Sequence, residues 1–208
     1  VKNEDRPIRV CVIAGGGTKG IIPALFASNL GDTIQKDYNE TLAQFFDLIV
    51  GTSTGAIVGV ALANEISHQN IPNIYFEDSK NIFQGSGIGL MSPIHDHNHL
   101  KDVMSKHMDN KFNLKLKDCK THVCVVTNES KGRNAWYLTN TPAIENFNWG
   151  TDNFTSEKFI PSGNIGIKKI IRATSAAPTY FIATILYESA LKSFNLRKQG
   201  IPRILADG

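Results

Sequence analysis

Residues 46–64 read FDLIVGTSTGAIVGVALAN: an apolar run, a five-residue turn with glycine at both ends, then small and apolar residues without a charge. An apolar run without alternation, Phe46 to Val50, suits a strand covered on both faces. Ala56 to Asn64 is helical in length, and a helix this small and apolar must be packed deep. The turn, Gly51-Thr52-Ser53-Thr54-Gly55, fits G-x-S-x-G, in which a strand bends sharply into a helix and leaves a serine hydroxyl at the tip. Composition alone yields that pentapeptide in roughly one chain in ten of this length, so its setting carries the weight. Gly51 and Gly55 stand where side chains would clash in a strained elbow. A serine there sits at a helix N-terminus, whose partial positive charge favours an alkoxide. The competing reading is a helix-capping serine without catalytic duty.

The same order of strand, glycine turn and helix stands upstream. Arg9 to Ala14 (RVCVIA) runs into Gly15-Gly16-Gly17, and Ile21 to Leu30 carries Ile21, Leu25 and Phe26 at helical spacing. Pro23 near the start does little harm there, and Gly31 is predicted to stop the helix. Thr121 to Thr127 reads as a third covered strand, Ala135 to Leu138 as a fourth and Ile204 to Ala206 as a last short one. Alternating strands and helices predict a parallel or mixed sheet sandwiched between helices. Ile82 to Ile94 (IFQGSGIGLMSPI) mixes glycine with apolar residues, and reads better as a loop tucked against the body than as an apolar flap.

With 208 residues, 41% of them apolar, the chain fits one well-buried domain. Lys and Arg number 22 against 19 Asp and Glu, a formal +3 without long runs of one sign, so no nucleic-acid partner is expected. No uninterrupted apolar stretch reaches the roughly 18 residues of a bilayer span, and the first residues, VKNEDRPIR, are polar. A soluble chain, cytoplasmic or peripheral to membranes, is the expectation. Three cysteines, Cys11, Cys119 and Cys124, give no disulfide framework.

A serine nucleophile needs a base. The order Ser, acid, His cannot be completed within these residues, because the last histidine is His122. The remaining economical base is a carboxylate. Asp207 follows the apolar Ile204 to Ala206, where parallel sheets place functional groups, although an aspartate before glycine is also a common turn residue. It would have to act on Ser53 directly, in a site shielded from water. The amides of Gly15, Gly16 and Gly17 can converge on a negative oxygen as an oxyanion hole. Gly15-Gly-Gly-Thr-Lys-Gly20 also satisfies G-x-G-x-x-G, but a dinucleotide site wants a second strand ending in an acid, and Asp32 to Thr41 is polar. A phosphate-binding P-loop is excluded by the absence of G-x-x-x-x-G-K-[ST].

With Gly15-Gly-Gly-Thr-Lys-Gly20, Gly51-Thr-Ser-Thr-Gly55, Arg172-Ala-Thr-Ser-Ala-Ala-Pro-Thr-Tyr-Phe181 and Asp207-Gly208 in that order, the sequence resembles the patatin-like phospholipases. The resemblance implies a three-layer α/β/α sandwich with a mainly parallel central sheet. It also implies a lipid acyl hydrolase of phospholipase A type, working through an acyl-serine intermediate without metal or cofactor. Ser53 is then the nucleophile, Asp207 its base and Gly15, Gly16 and Gly17 the oxyanion hole. Lys19 and Ala14 depart from the family's commoner residues without touching that dyad. Residues 1–208 are expected to form one catalytic domain that stops short of the family's usual C-terminal end. The partners implied are a phospholipid or other acyl lipid and contact with a membrane surface, while an activating protein partner is left unknown. Two alternatives stay open: an acyltransferase sharing the acyl-serine step, and a catalytically silent lipid- or protein-binding module.

His95, His97 and His99 (HDHNH) would face one side of an extended strand as metal ligands, but they lead into a predicted helix and read better as a solvated loop. Ester hydrolysis is therefore expected to be unchanged by EDTA. Loss of activity restored by zinc would reverse that assignment.

Overall fold

The computed structural model describes residues 6–77, 97–129, 134–141, 159–176, 184–186 and 203–207. β-branched and apolar side chains make Val10–Ile13 (β1) and Leu48–Thr52 (β2) strands, which pair in parallel from Val10 against Leu48 to Ile13 against Gly51. His122–Glu129 (β3) pairs in parallel with β2, His122 against Leu48 through Val126 against Thr52. Asn134–Thr139 (β4) returns antiparallel to β3, and Phe159–Pro161 (β5) runs parallel to β4. Thr184–Leu186 (β6) and Arg203–Asp207 (β7) pair antiparallel, and β7 is antiparallel to β3. These seven strands form one sheet.

The described helices are Ile21–Tyr38 (α1), Leu42–Phe45 (α2), Thr54–Ala63 (α3), Asn73–Phe76 (α4), His97–Met108 (α5) and Ile167–Thr174 (α6). All ten residues of α3 are buried, as its uncharged sequence requires. It lies over the parallel strands, packing with Ile13, Ile49, Val123 and Val125 in one core. Burying each Ile or Val side chain contributes roughly 1.5–3 kcal/mol, so α3 is held by hydrophobic burial rather than by its own propensity. Its carbonyl end is closed by Lys111, whose Nζ donates to the carbonyl oxygens of Asn64 at 2.6 Å and Glu65 at 3.1 Å. A cation at that end of a helix also meets the negative pole of the dipole. α2 starts on a capping box between Thr41 and Gln44.

Strand boundaries fall within two residues of the sequence expectations at β1, β2 and β3. β2 begins at Leu48, and just before it the Asp47 carboxylate takes two 2.7 Å hydrogen bonds from the Arg6 guanidinium and one from the Arg9 amide. The predicted stop at Gly31 is corrected by the structure. α1 continues to Tyr38 and ends at Asn39, whose left-handed φ of 55° closes it. Gly31 serves packing instead. It is buried under the His68 imidazole, and a Cβ there would overlap the ring. His68 is held in place by a 3.0 Å contact from Nε2 to Asp32 Oδ1.

His97 and His99 open α5, so the backbone there is helical, and the alternate spacing that collects ligands on a strand does not apply. His95 and the segment Ile82 to Ile94 lie outside the described residues.

Gly31→Ala would normally gain about 1 kcal/mol of helix propensity. Here it is expected to lower the melting temperature, because overpacking against His68 costs about 1–3 kcal/mol. In a His68→Ala background the same substitution should raise it. Thermal unfolding of the four proteins of this cycle checks both signs.

Candidate active site

β2 ends at Thr52, α3 begins at Thr54, and Ser53 between them has φ 51° and ψ −129°. That conformation costs a residue with a Cβ of order 1–3 kcal/mol and persists only where the surroundings impose it. The neighbouring glycines make room for it. A Cβ on Gly51 would lie 2.6 Å from Ala56 Cα, and one on Gly55 would overlap the Ile13 carbonyl oxygen and sit 2.6 Å from that of Ala14. The elbow is thus wedged between β1 and its own helix. Ser53 is 9% exposed, and its carbonyl accepts from the amides of Ala56 and Ile57 to start the helix. Its hydroxyl makes no capping hydrogen bond, which corrects the helix-capping reading.

The glycine loop lies directly against this serine. A Cβ on Gly15 would fall 2.7 Å from Ser53 Cβ and 2.7 Å from the Thr52 carbonyl oxygen. Gly16 and Gly17 follow with φ of 149° and 58°, both in the region side chains avoid, and Gly17–Gly20 forms a 3₁₀ turn into α1. Tyr75 closes the other side, its hydroxyl donating to the Thr54 carbonyl at 3.2 Å. Burial pushes the Tyr75 phenol up, so it stays a neutral donor. Thr54 Oγ1, one residue past Ser53, is buried without a hydrogen-bond partner.

The backbone of Asp207 reaches the same place from the opposite direction. On one edge of β3, residues Cys124 to Glu129 pair with β4. On the other edge β2 occupies the rungs up to Val126, and β7 takes over from Thr127 to Glu129. Thr52 pairs with Val126 and Asp207 pairs with Thr127. The ends of β2 and β7 therefore meet head to head, one rung apart, a spacing of about 3.3 Å along β3. Asp207 is the last residue of β7 rather than the residue after a strand, and that strand is antiparallel to its neighbours.

Sequence reasoning assigns no role to Thr174, the last residue of α6. Its Oγ1 accepts from the Ser53 amide at 2.8 Å and donates to the Val126 carbonyl at 2.6 Å. The signal for α6 was present: Ile167, Ile170, Ile171 and Thr174 recur at helical spacing, and all four are buried.

Thiols offer no rival nucleophile. Burial pushes Cys119 up to about 11 and Cys124 up to about 12, and raises Cys11 as well. A thiol held protonated is a poor nucleophile near neutral pH.

A sheet with flanking helices, a serine on a strained strand-to-helix elbow and a glycine loop touching that serine define an α/β protein with a candidate site at the end of β2. The model of the Patatin-like phospholipase family matches residues 11–208, and the chain belongs to that family. Patatin-T5 of Solanum tuberosum is 31% identical over 186 residues, which cover 84% of this chain and 43% of that protein. Patatin-like phospholipase 1 of Plasmodium falciparum (isolate NF54) is 26% identical over 181 residues, covering 84% of this chain and 26% of that one. The crystal structure of VipD from Legionella pneumophila shares the fold, with a TM-score of 0.54 at 12% identity over 97% of this chain and 46% of that chain. The chain spans less than half the length of each of these.

The raised thiols give a prediction with a definite sign. Native protein at pH 8 is expected to react with iodoacetamide at Cys119 and Cys124 at least about 100-fold more slowly than unfolded protein, whose thiols titrate near 8.5. Because the folded thiols titrate higher, the stability they contribute is complete below that value and is lost as pH rises toward 11 and 12. Mass spectrometry of alkylated peptides and alkaline melts read the two effects.

Proposed function

We propose that this chain is a lipid acyl hydrolase in which Ser53 attacks the ester carbonyl of a phospholipid and Asp207 takes its proton. The Oγ–C bond forms as the carbonyl π bond opens, and the oxyanion is received by the amides of Gly15, Gly16 and Gly17. Collapse breaks the ester C–O bond, and the leaving alcohol takes the proton from Asp207. Water deprotonated by the same carboxylate then attacks the acyl-serine, and collapse breaks the acyl C–Oγ bond as Asp207 returns the proton to Ser53 Oγ, releasing a fatty acid. No step calls for a metal or cofactor, and the thiols are silent.

The observation that carries this reading is the meeting of three backbone segments. Gly15 lies against Ser53, and Asp207 occupies the β3 rung next to the one where β2 ends. Family membership supplies the substrate class. Among the described residues no helix is long and apolar enough to cross a membrane.

A silent binding module is the second reading. One relative, at 30% identity over 84% of this chain, bears the name Probable inactive patatin-3-Kuras 1. The elbow strain at Ser53 favours catalysis here, because such strain is costly to keep without use.

Ser53→Ala and Asp207→Asn are each expected to reduce fatty-acid release from phospholipid vesicles by ~10³-fold or more. A fluorophosphonate should label wild type at Ser53 and leave Ser53→Ala unlabelled. Near-normal hydrolysis by Ser53→Ala would refute the assignment, and absent labelling of folded wild type would favour the binding module. Acyl transfer to added glycerol in preference to water would identify an acyltransferase.

A further inference from the structure

We infer that Thr174 is a positioning residue for the nucleophile, holding the Ser53 backbone to β3 where the two strands separate. The inference rests on the reading of Ser53 as nucleophile. β2 follows β3 as far as Thr52 against Val126. One residue later the chain swings away at φ 51°, leaving the Ser53 amide without the strand partner that continuation of the ladder would supply. The Thr174 hydroxyl stands in the gap, accepting from the Ser53 amide at 2.8 Å and donating to the Val126 carbonyl at 2.6 Å. A hydroxyl has one donor and two acceptor sites, and this geometry uses both kinds at once.

The bridge is buried and braced. Thr174 is 0% exposed. The preceding residue is also tied to β3, because Thr127 Oγ1 donates to the Ala173 carbonyl at 3.2 Å. Val126 and Thr127 are the rungs that receive the end of β2 and the backbone of Asp207. The last turn of α6 therefore grips β3 at the two residues that set the spacing between the nucleophile and its base. Both of these Thr174 hydrogen bonds are to backbone atoms. Thr174 acts by limiting the positions that the strained Ser53 backbone can take, and a shift of about 1 Å in a reacting group is enough to cost a large factor in rate.

Thr174→Val keeps the shape and removes both hydrogen bonds, while Thr174→Ser keeps the hydroxyl. In the full chain assayed on phosphatidylcholine vesicles, Thr174→Val is expected to lower kcat by ~10- to 100-fold with KM within about twofold. Fluorophosphonate labelling of Ser53 should slow in parallel, and Thr174→Ser should restore kcat to within about threefold. If Thr174→Val lowers the melting temperature but keeps the wild-type kcat per folded molecule, the bond is structural only and the inference fails. If Thr174→Ser is as slow as Thr174→Val, the hydroxyl is not the operative group and the inference also fails. Should Thr174→Val not fold, Thr174→Ala is measured below its unfolding temperature. Failure of both to fold overturns the positioning role in favour of a purely structural one. Ser53→Ala separates the two readings: if it stays active, the nucleophile assignment falls, whereas an inactive Ser53→Ala beside a fully active Thr174→Val sinks only the role of Thr174.

Discussion

At Ser53 the chain must leave a strand paired in parallel on both edges and enter a buried helix within a single residue, and it does so at φ 51°. Three glycines yield to that demand. Gly51 and Gly55 let α3 lie close on β1 and β2, and Gly15 lets the loop after β1 come against the serine. The strain is sustained because α3 cannot relax outward. Its ten residues are buried, and its far end is held by Lys111. Hydrophobic burial thus supplies the force, and the elbow is where that force is concentrated.

β3 is the common reference for everything around the serine. It pairs with β2, with β4 and with β7, and it receives the last turn of α6 through Val126 and Thr127. A strand held on both edges and on one face has little freedom to shift register. The backbones of Ser53 and Asp207, the proposed nucleophile and base, are both placed from β3, so the spacing of the two backbones follows the ladder.

The strand-turn-helix units at 9–30 and 46–64 were legible because each element is announced by local chemistry: an unalternating apolar run, then glycine, then a helical segment. Ser53 and the glycine loop came with them. What sequence could not convey was contact across long separations. Gly31 looked like a helix stop by propensity, but the His68 ring that explains it comes from 37 residues later. Thr174 bonds Ser53 across a separation of 121 residues, and although it stands in the Arg172 to Phe181 stretch, that stretch names no partner for its hydroxyl. β5 is three residues ending in proline, too short for any period to show. The direction of β7 was equally hidden, since three apolar residues do not say which way they will pair. Asp207 could be nominated by elimination, whereas its place beside Thr127 required the sheet.

Because β2 and β7 arrive end to end along a single edge of β3, the proposed base is indexed to a rung rather than to the path of the chain that delivers it. Length changes between β4 and β7 would leave Asp207 where it is, provided that its pairing with Thr127 is kept. A slip of one residue is another matter, because Asp207 would then no longer stand opposite Thr127. Tolerance of insertion and intolerance of misregistration therefore follow from one and the same ladder.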